Sequence, residues 1–212
     1  MDGNLLPLFL RLQDRACLLV GGEGEAHPKG AALLRAGARL TIVAPELEGY
    51  LLREAQAGRA SWRAEPFEPA HLDGMWLAVS ALGDVVVNAR LYAAAEERRV
   101  LLNVVDQPRY CTFVWPALVE RPPVTVAIGT GGHAPALAGY LRRRIDAWLP
   151  AQVGALAESL AAWRRLVPGG LASRARFWRD LLDRGLAERF LDGDEKGAAA
   201  MVQDALANRQ ER

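Results

Sequence analysis

Cysteine is scarce in this chain: Cys17 and Cys111 are its only two thiols in 212 residues. Two cysteines, one of them inside an apolar run, make no disulfide framework and read as buried, reduced thiols of a reducing compartment. Long apolar runs are missing too. The run ACLLV at 16–20 is strand-sized and far short of a bilayer span. The amino-terminal stretch MDGNLLPLFLRLQD has an early aspartate, a proline and no basic start, so it lacks the form of a secretory signal. A cytoplasmic location is the expectation. Neither sign of charge prevails, with 26 Lys and Arg against 25 Asp and Glu and a net charge of +1. That balance argues against nucleic acid or a membrane surface as partner. No internal repeat and no low-complexity tract is visible. The length suits one large domain, or one domain with an appendage.

What is present is an alternation of short apolar runs and helical stretches. RACLLV at 15–20 reads as a buried strand ending in Gly21-Gly22. A helix over 29–36 stops at Gly37, and ARLTIVAP at 38–45 is a second strand. A second helix over 46–57 ends at Gly58, SWRAEPF holds a third strand, and MWLAVSA at 75–81 is a fourth. Asp84 is placed to cap a helix over 86–98, and VLLNVVD at 100–106 is a fifth strand. Strands alternating with helices of this length predict βαβ units and a parallel sheet. The pattern then changes. CTFVWPALVE and VTVAIGT, joined by Arg121-Pro122-Pro123, read as a hairpin or paired extension. After Gly131-Gly132, Pro135 sits where a first helical turn tolerates it, and Leu137, Leu141, Ile145 and Trp148 form an apolar stripe. From Gln152 on, the chain reads as helical: one run to Leu166, a break at Pro168-Gly169-Gly170, another run from Ser173 and a last one from Asp194. The expected organisation is a Rossmann-like α/β domain over 1–112, a small β-plus-helix element over 113–148 and a helical region over 149–212.

A glycine turn between a first strand and a first helix is the usual seat of a nucleotide pyrophosphate, which faces backbone N–H groups and the positive helix end. Here the turn is Gly21-Gly22-Glu23-Gly24-Glu25-Ala26. Gly21 and Ala26 fit the first and third positions of G-x-G-x-x-[GA], with Glu23 at the middle one; starting the frame at Gly22 and Gly24 leaves His27 at the third. A tight turn without a ligand is the competing reading. At the end of the second strand, Glu46 beyond Pro45 either binds ribose hydroxyls or opens the second helix.

The stretches LPLFLRLQDRACLLVGG, AGARLTIVAPEL and NVVDQPRYCTFVWPALVERPPVTVAIGTGGHAPALAGYLRRRI, with the later Gly193-Asp194-Glu195-Lys196, resemble the precorrin-2 dehydrogenase/sirohydrochlorin ferrochelatase family, the N-terminal region of siroheme synthase. The resemblance runs over nearly the whole chain and is most specific at 103–116 and 131–141. It implies a homodimer that oxidises precorrin-2 to sirohydrochlorin with NAD and takes ferrous iron as substrate, the element at 113–148 serving dimerisation. The family's key acidic residue falls on Asp106, where one carboxylate near the macrocycle accepts protons in both steps. The bland alternative for Asp106 is the start of the turn Asp106-Gln107-Pro108.

The resemblance also implies NAD contacts at Gly21, Gly22, Gly24, Glu25, Pro45 and Glu46, and a cradle for tetrapyrrole carboxylates at Thr130, Gly131, Gly132 and His133, with Arg109 adding charge. The run Arg142-Arg143-Arg144 either joins that cradle or is a solvated helix face. His133 has no Cys, Asp or Glu at ligand spacing, so no resident metal site is expected. The chain departs from the family at two places. Glu23, Glu25 and Pro28 replace residues of G-G-G-x-V-A-x-R-K, and Ser80-Ala81-Leu82-Gly83 stands for A-A-T-[DN], without the hydroxyl at 82. Both departures fall at the NAD site, which leaves open a variant acting only as a chelatase or as a tetrapyrrole-binding protein.

Overall fold

The computed structural model describes residues 5–210, so the first residues of the stretch weighed as a secretory signal lie outside it. The chain divides into two compact units. One runs to Trp115 and includes Gly131–His133; the other holds Pro116–Thr130 and the chain from Ala134 onward.

Five parallel strands, β1 (Ala16–Val20), β2 (Arg39–Val43), β3 (Ala60–Arg63), β4 (Leu77–Ser80) and β5 (Leu101–Val104), form the first unit's sheet in the order β3-β2-β1-β4-β5. Parallel strands are covered on both faces, so β1, β2 and β4 read as continuous apolar runs and not as alternation. Successive side chains still point to opposite faces. Cys17, Leu19, Leu40, Ile42 and Val79 pack with Leu33 of α1 (Ala26–Arg35) and Leu51 of α2 (Gly49–Gln56). Leu18, Val20, Val43, Ala78, Leu102 and Val104 pack with Leu72 and with Leu91 of α3 (Val85–Arg98). Each Leu, Ile or Val among them contributes about 1.5–3 kcal/mol by leaving water.

Three boundaries beside the strands' carboxyl edge differ from the sequence expectation. Helix α1 begins at Ala26, three residues early, because Pro28 falls in its first turn, where a missing N–H costs nothing. Helix α2 begins only at Gly49, so Glu46 lies in the preceding loop and does not open a helix. Strand β5 ends at Val104, opposite the last residue of β4, and Asp106 belongs to the turn beyond. Cys17 is fully buried, but Cys111 is only half-buried, and both are free thiols.

The cap on α3 is where it was expected. The Asp84 carboxylate accepts from the Val86 and Val87 N–H groups at 2.8 and 3.1 Å. Asp84→Ala is expected to lower unfolding stability by about 1 kcal/mol; unchanged urea denaturation would show that the cap contributes nothing.

The second unit opens with an antiparallel hairpin, β6 (Ala117–Arg121) and β7 (Val124–Ile128), followed by α4 (Pro135–Trp148). Val119, Ile128 and Leu149 form its core with Ala138, Leu141 and Ile145. The packed face of α4 is therefore turned from the expected stripe. Leu137 and Trp148 are 48% and 76% exposed. Helices α5 (Val153–Trp163), α6 (Leu171–Asp183), α7 (Leu186–Leu191) and α8 (Glu195–Gln210) close around Leu156, Phe177, Leu181, Leu186, Phe190 and Val202. The helical run expected from Ser173 is in fact two helices, parted at Gly185, whose φ of +87° ends helical geometry. No helix among the described residues is long and apolar enough to cross a membrane.

Candidate active site

The sheet order makes β1 the point where the chain reverses: β2 and β3 extend to one side, β4 and β5 to the other. Open α/β sheets take ligands beyond the carboxyl ends of the strands at such a point. The loops after β1, β2, β4 and β5 all lie on that edge.

The turn after β1 is built for close approach. Gly21 has a φ of +113° and Gly24 of +51°, backbone that side-chain-bearing residues rarely adopt. A Cβ on Gly22 would collide with the Glu46 carbonyl oxygen, so this glycine lets the turn and the β2 loop meet. Gly24 faces open space. The backbone N–H groups of Gly22, Glu23, Gly24 and Glu25 have no acceptor among the described residues, whereas those of Gly21, Ala26 and His27 do. Unpaired amides beside a helix N-terminus are the groups an anion cradle requires. The Nδ1 of His27, in the first turn of α1, is buried and also lacks a partner. Glu23 and Glu25 are exposed, as are Pro45, Glu46 and Glu48 on the β2 loop.

The wall across from the turn is the β4 loop. Ala81 and Leu82 stand 3.5 Å from where a Gly21 side chain would begin. One strand further along, Asp106 occupies the turn after β5, exposed and with φ +57°. Two strand spacings, roughly 10 Å, separate β1 from β5.

A web of side-chain bonds ties the Asp106 turn to its strand. The Val104 N–H donates to Cys111 Sγ at 3.2 Å, and that thiol lies 3.2 Å from the Val104 carbonyl, which accepts from it. Burial pushes the Cys111 thiol up from its ordinary value, opposed by its bond to Val104, so it stays protonated and can donate. Thr112 Oγ1 accepts from the Leu102 N–H at 2.7 Å, and Asn103 Nδ2 donates to the Phe113 carbonyl at 3.0 Å. Residues 111–113 thus act as a side-chain-bonded rail beside β5. Sequence reading missed this rail; its only signal was a polar Asn103 inside an apolar strand.

The remaining expected contacts sit as follows. Arg109 is exposed and its guanidinium lies over the Tyr110 ring, 4.7 Å from the centroid. Thr130 Oγ1 accepts from the Ala134 N–H at 3.3 Å, one residue before α4. Gly131 and Gly132 both have positive φ, at +63° and +80°, and His133 is exposed with its ring close to Gly131. Arg142, Arg143 and Arg144 are all exposed. Among the described residues, no group of three or more His, Cys, Asp or Glu is placed to hold a metal ion.

Residues 8–117 match the family described as “Putative NAD(P)-binding”, and residues 152–206 match the “Sirohaem synthase dimerisation region”. The chain belongs to the siroheme synthase N-terminal family. Siroheme synthase 1 of Aeromonas salmonicida is 46% identical over 147 residues, and siroheme synthase of Photorhabdus laumondii is 43% identical over 147. In both cases 69% of this chain is matched, and it spans 31% of the relative's length. The solved structure of SirC, precorrin-2 dehydrogenase, superposes with a TM-score of 0.76 over 94% of this chain and all of that one, at 18% identity, which establishes the shared fold.

The crevice fits the nicotinamide dinucleotide that this family match supports. The free amides of 22–25 and the α1 N-terminus would hold the pyrophosphate, with Gly22 and Gly24 leaving it room. The exposed β2 loop with Glu46 would face the ribose. Glu23, which interrupts the glycine fingerprint, is exposed, and the adjacent Gly24 supplies an open position.

Proposed function

We propose that this chain oxidises precorrin-2 to sirohydrochlorin with NAD, and that the same surface then carries ferrous iron into the product to give siroheme. The reading rests on one juxtaposition: an anion cradle of unpaired amides and an exposed carboxylate share the carboxyl edge of one sheet. Bound NAD supplies the hydride acceptor. Asp106 takes the proton that leaves the macrocycle in the oxidation, and its exposure allows it to pass that proton to water. In metal insertion the ferrous ion replaces two pyrrole N–H protons, and Asp106 accepts them in turn. The glycines at 131 and 132, Thr130, His133 and Arg109 hold the substrate's carboxylates. The protein works as a cytoplasmic homodimer, and the match of 152–206 to a dimerisation region supports that role for the helical region beyond 113–148, where it was expected.

Four exposed carboxylates, Glu23, Glu25, Glu46 and Glu48, lie on the two loops beside the cradle. Their charge disfavours the extra phosphate of NADP. Titration calorimetry with each dinucleotide, with and without sirohydrochlorin, is expected to give saturable NAD binding, with NADP at least about tenfold weaker. Equal affinities would remove the carboxylates as the selecting feature. Failure of both to bind at millimolar concentration would reduce the protein to a chelatase or a tetrapyrrole carrier.

A further inference from the structure

Among the described residues the buried polar or charged side chains are Glu54, Ser80, Asn88 and Asn103. Glu54 is paired with Arg59, and Asn103 serves the rail beside β5. Ser80 and Asn88 remain, both fully buried, one at the end of β4 and the other in α3.

Their bonds form a closed ring. Ser80 Oγ donates to Asn88 Oδ1 at 2.7 Å, Asn88 Nδ2 donates to the Leu82 carbonyl at 2.8 Å, and the Leu82 N–H donates to Ser80 Oγ at 3.3 Å. Both backbone groups of Leu82 are therefore held by side chains, and neither has a backbone partner among the described residues. A buried polar pair adds little net stability over an apolar pair of the same shape, so what it contributes is geometry. The geometry here concerns the wall facing the phosphate turn, since Ala81 and Leu82 are the residues that stand against Gly21. Leu82 brings no hydroxyl of its own to this loop; the hydroxyl that organises it comes from Ser80, two residues upstream.

We propose that Ser80 and Asn88 are positioning residues for the dinucleotide: their ring fixes the β4–α3 loop across from Gly21 and thereby sets cofactor affinity. This rests on the crevice being the dinucleotide site. The pair touches no cofactor and has no part in the proton chemistry, so its loss acts on dinucleotide binding and leaves tetrapyrrole binding alone.

The test compares wild type with Ser80→Ala and Asn88→Asp. It uses direct titration of NAD, separate KM values for NAD and precorrin-2, amide exchange at Leu82 and thermal unfolding. Asn88→Asp keeps the acceptor for Ser80 but sets a carboxylate against the Leu82 carbonyl. Both variants are expected to weaken NAD binding about tenfold, speed Leu82 exchange and leave the tetrapyrrole KM within about twofold. Should Ser80→Ala not fold, the near-isosteric Ser80→Cys keeps the volume, weakens the bonds and is expected to shift NAD affinity in the same direction. Folded variants with faster Leu82 exchange but wild-type NAD affinity would overturn the proposal, leaving the ring a purely structural feature. Wild type that binds no dinucleotide would sink the crevice reading and this proposal with it.

Discussion

Asp106→Asn is expected to lower the rate of precorrin-2 oxidation by about 10²–10⁴-fold while tetrapyrrole affinity stays within a few-fold. Asparagine is the informative replacement because Asp106 has a φ of +57°. Asparagine tolerates the left-handed region as well as aspartate does, so the turn keeps its shape and only the proton acceptor is lost. Alanine would add backbone strain of about 1–2 kcal/mol and confuse the two effects. Single-turnover oxidation followed by the tetrapyrrole spectrum, with substrate binding measured separately by fluorescence quenching, separates chemistry from affinity. An Asn variant within about threefold of wild type would remove Asp106 as the base. Iron insertion by the same variant is expected to slow as well. If only oxidation slows, a different group takes the pyrrole protons.

Gly22→Ala carries the second large effect. The added methyl would meet the Glu46 carbonyl oxygen and lie 3.2 Å from the Ala44 side chain, so there is no flexible neighbour to move aside. Overpacking of this kind costs about 1–3 kcal/mol, and the β1 turn and β2 loop must separate to relieve it. A loss of thermal stability together with at least tenfold weaker NAD binding is expected. Gly24→Ala is the control for thermal stability alone, because a Cβ there meets no protein atom within 4 Å and the cost to folding is the backbone strain of φ +51°. Equal melting temperatures for Gly22→Ala and wild type would show that the two loops are not packed as described.

The parallel sheet was legible because its strands are buried on both faces, leaving apolar runs such as CLLV and LTIV that admit few other readings. Its edges were less so. The start of α1 carries no side-chain cap at Glu25, so Pro28, which a first turn tolerates, is the one sequence signal for a start before Lys29. The end of β5 was overrun because Val105 continues the apolar run, whereas the strand stops where its partner β4 stops. On α4, a stripe through Leu141 and Ile145 fits two overlapping faces, and only the hairpin beneath selects the one with Ala138. The glycine turn stood out as a motif, and Asp106 came through the likeness to a known family. The Ser80–Asn88 ring was invisible because it closes over eight residues through a strand, a loop and a helix, although a serine ending an apolar strand was a usable flag.

The strand order also dictates when during synthesis the crevice can exist. Cys17 pairs with Leu40 on one side and with Leu77 on the other. On the ribosome the β1–β2–β3 half is available first, and its glycine turn faces nothing until β4 emerges and inserts beside β1. Pairing across such a separation is slow and follows the local contacts. A nascent chain therefore presents a half-built nucleotide cleft with one bare strand edge, and the dinucleotide can select only chains in which both halves have already joined.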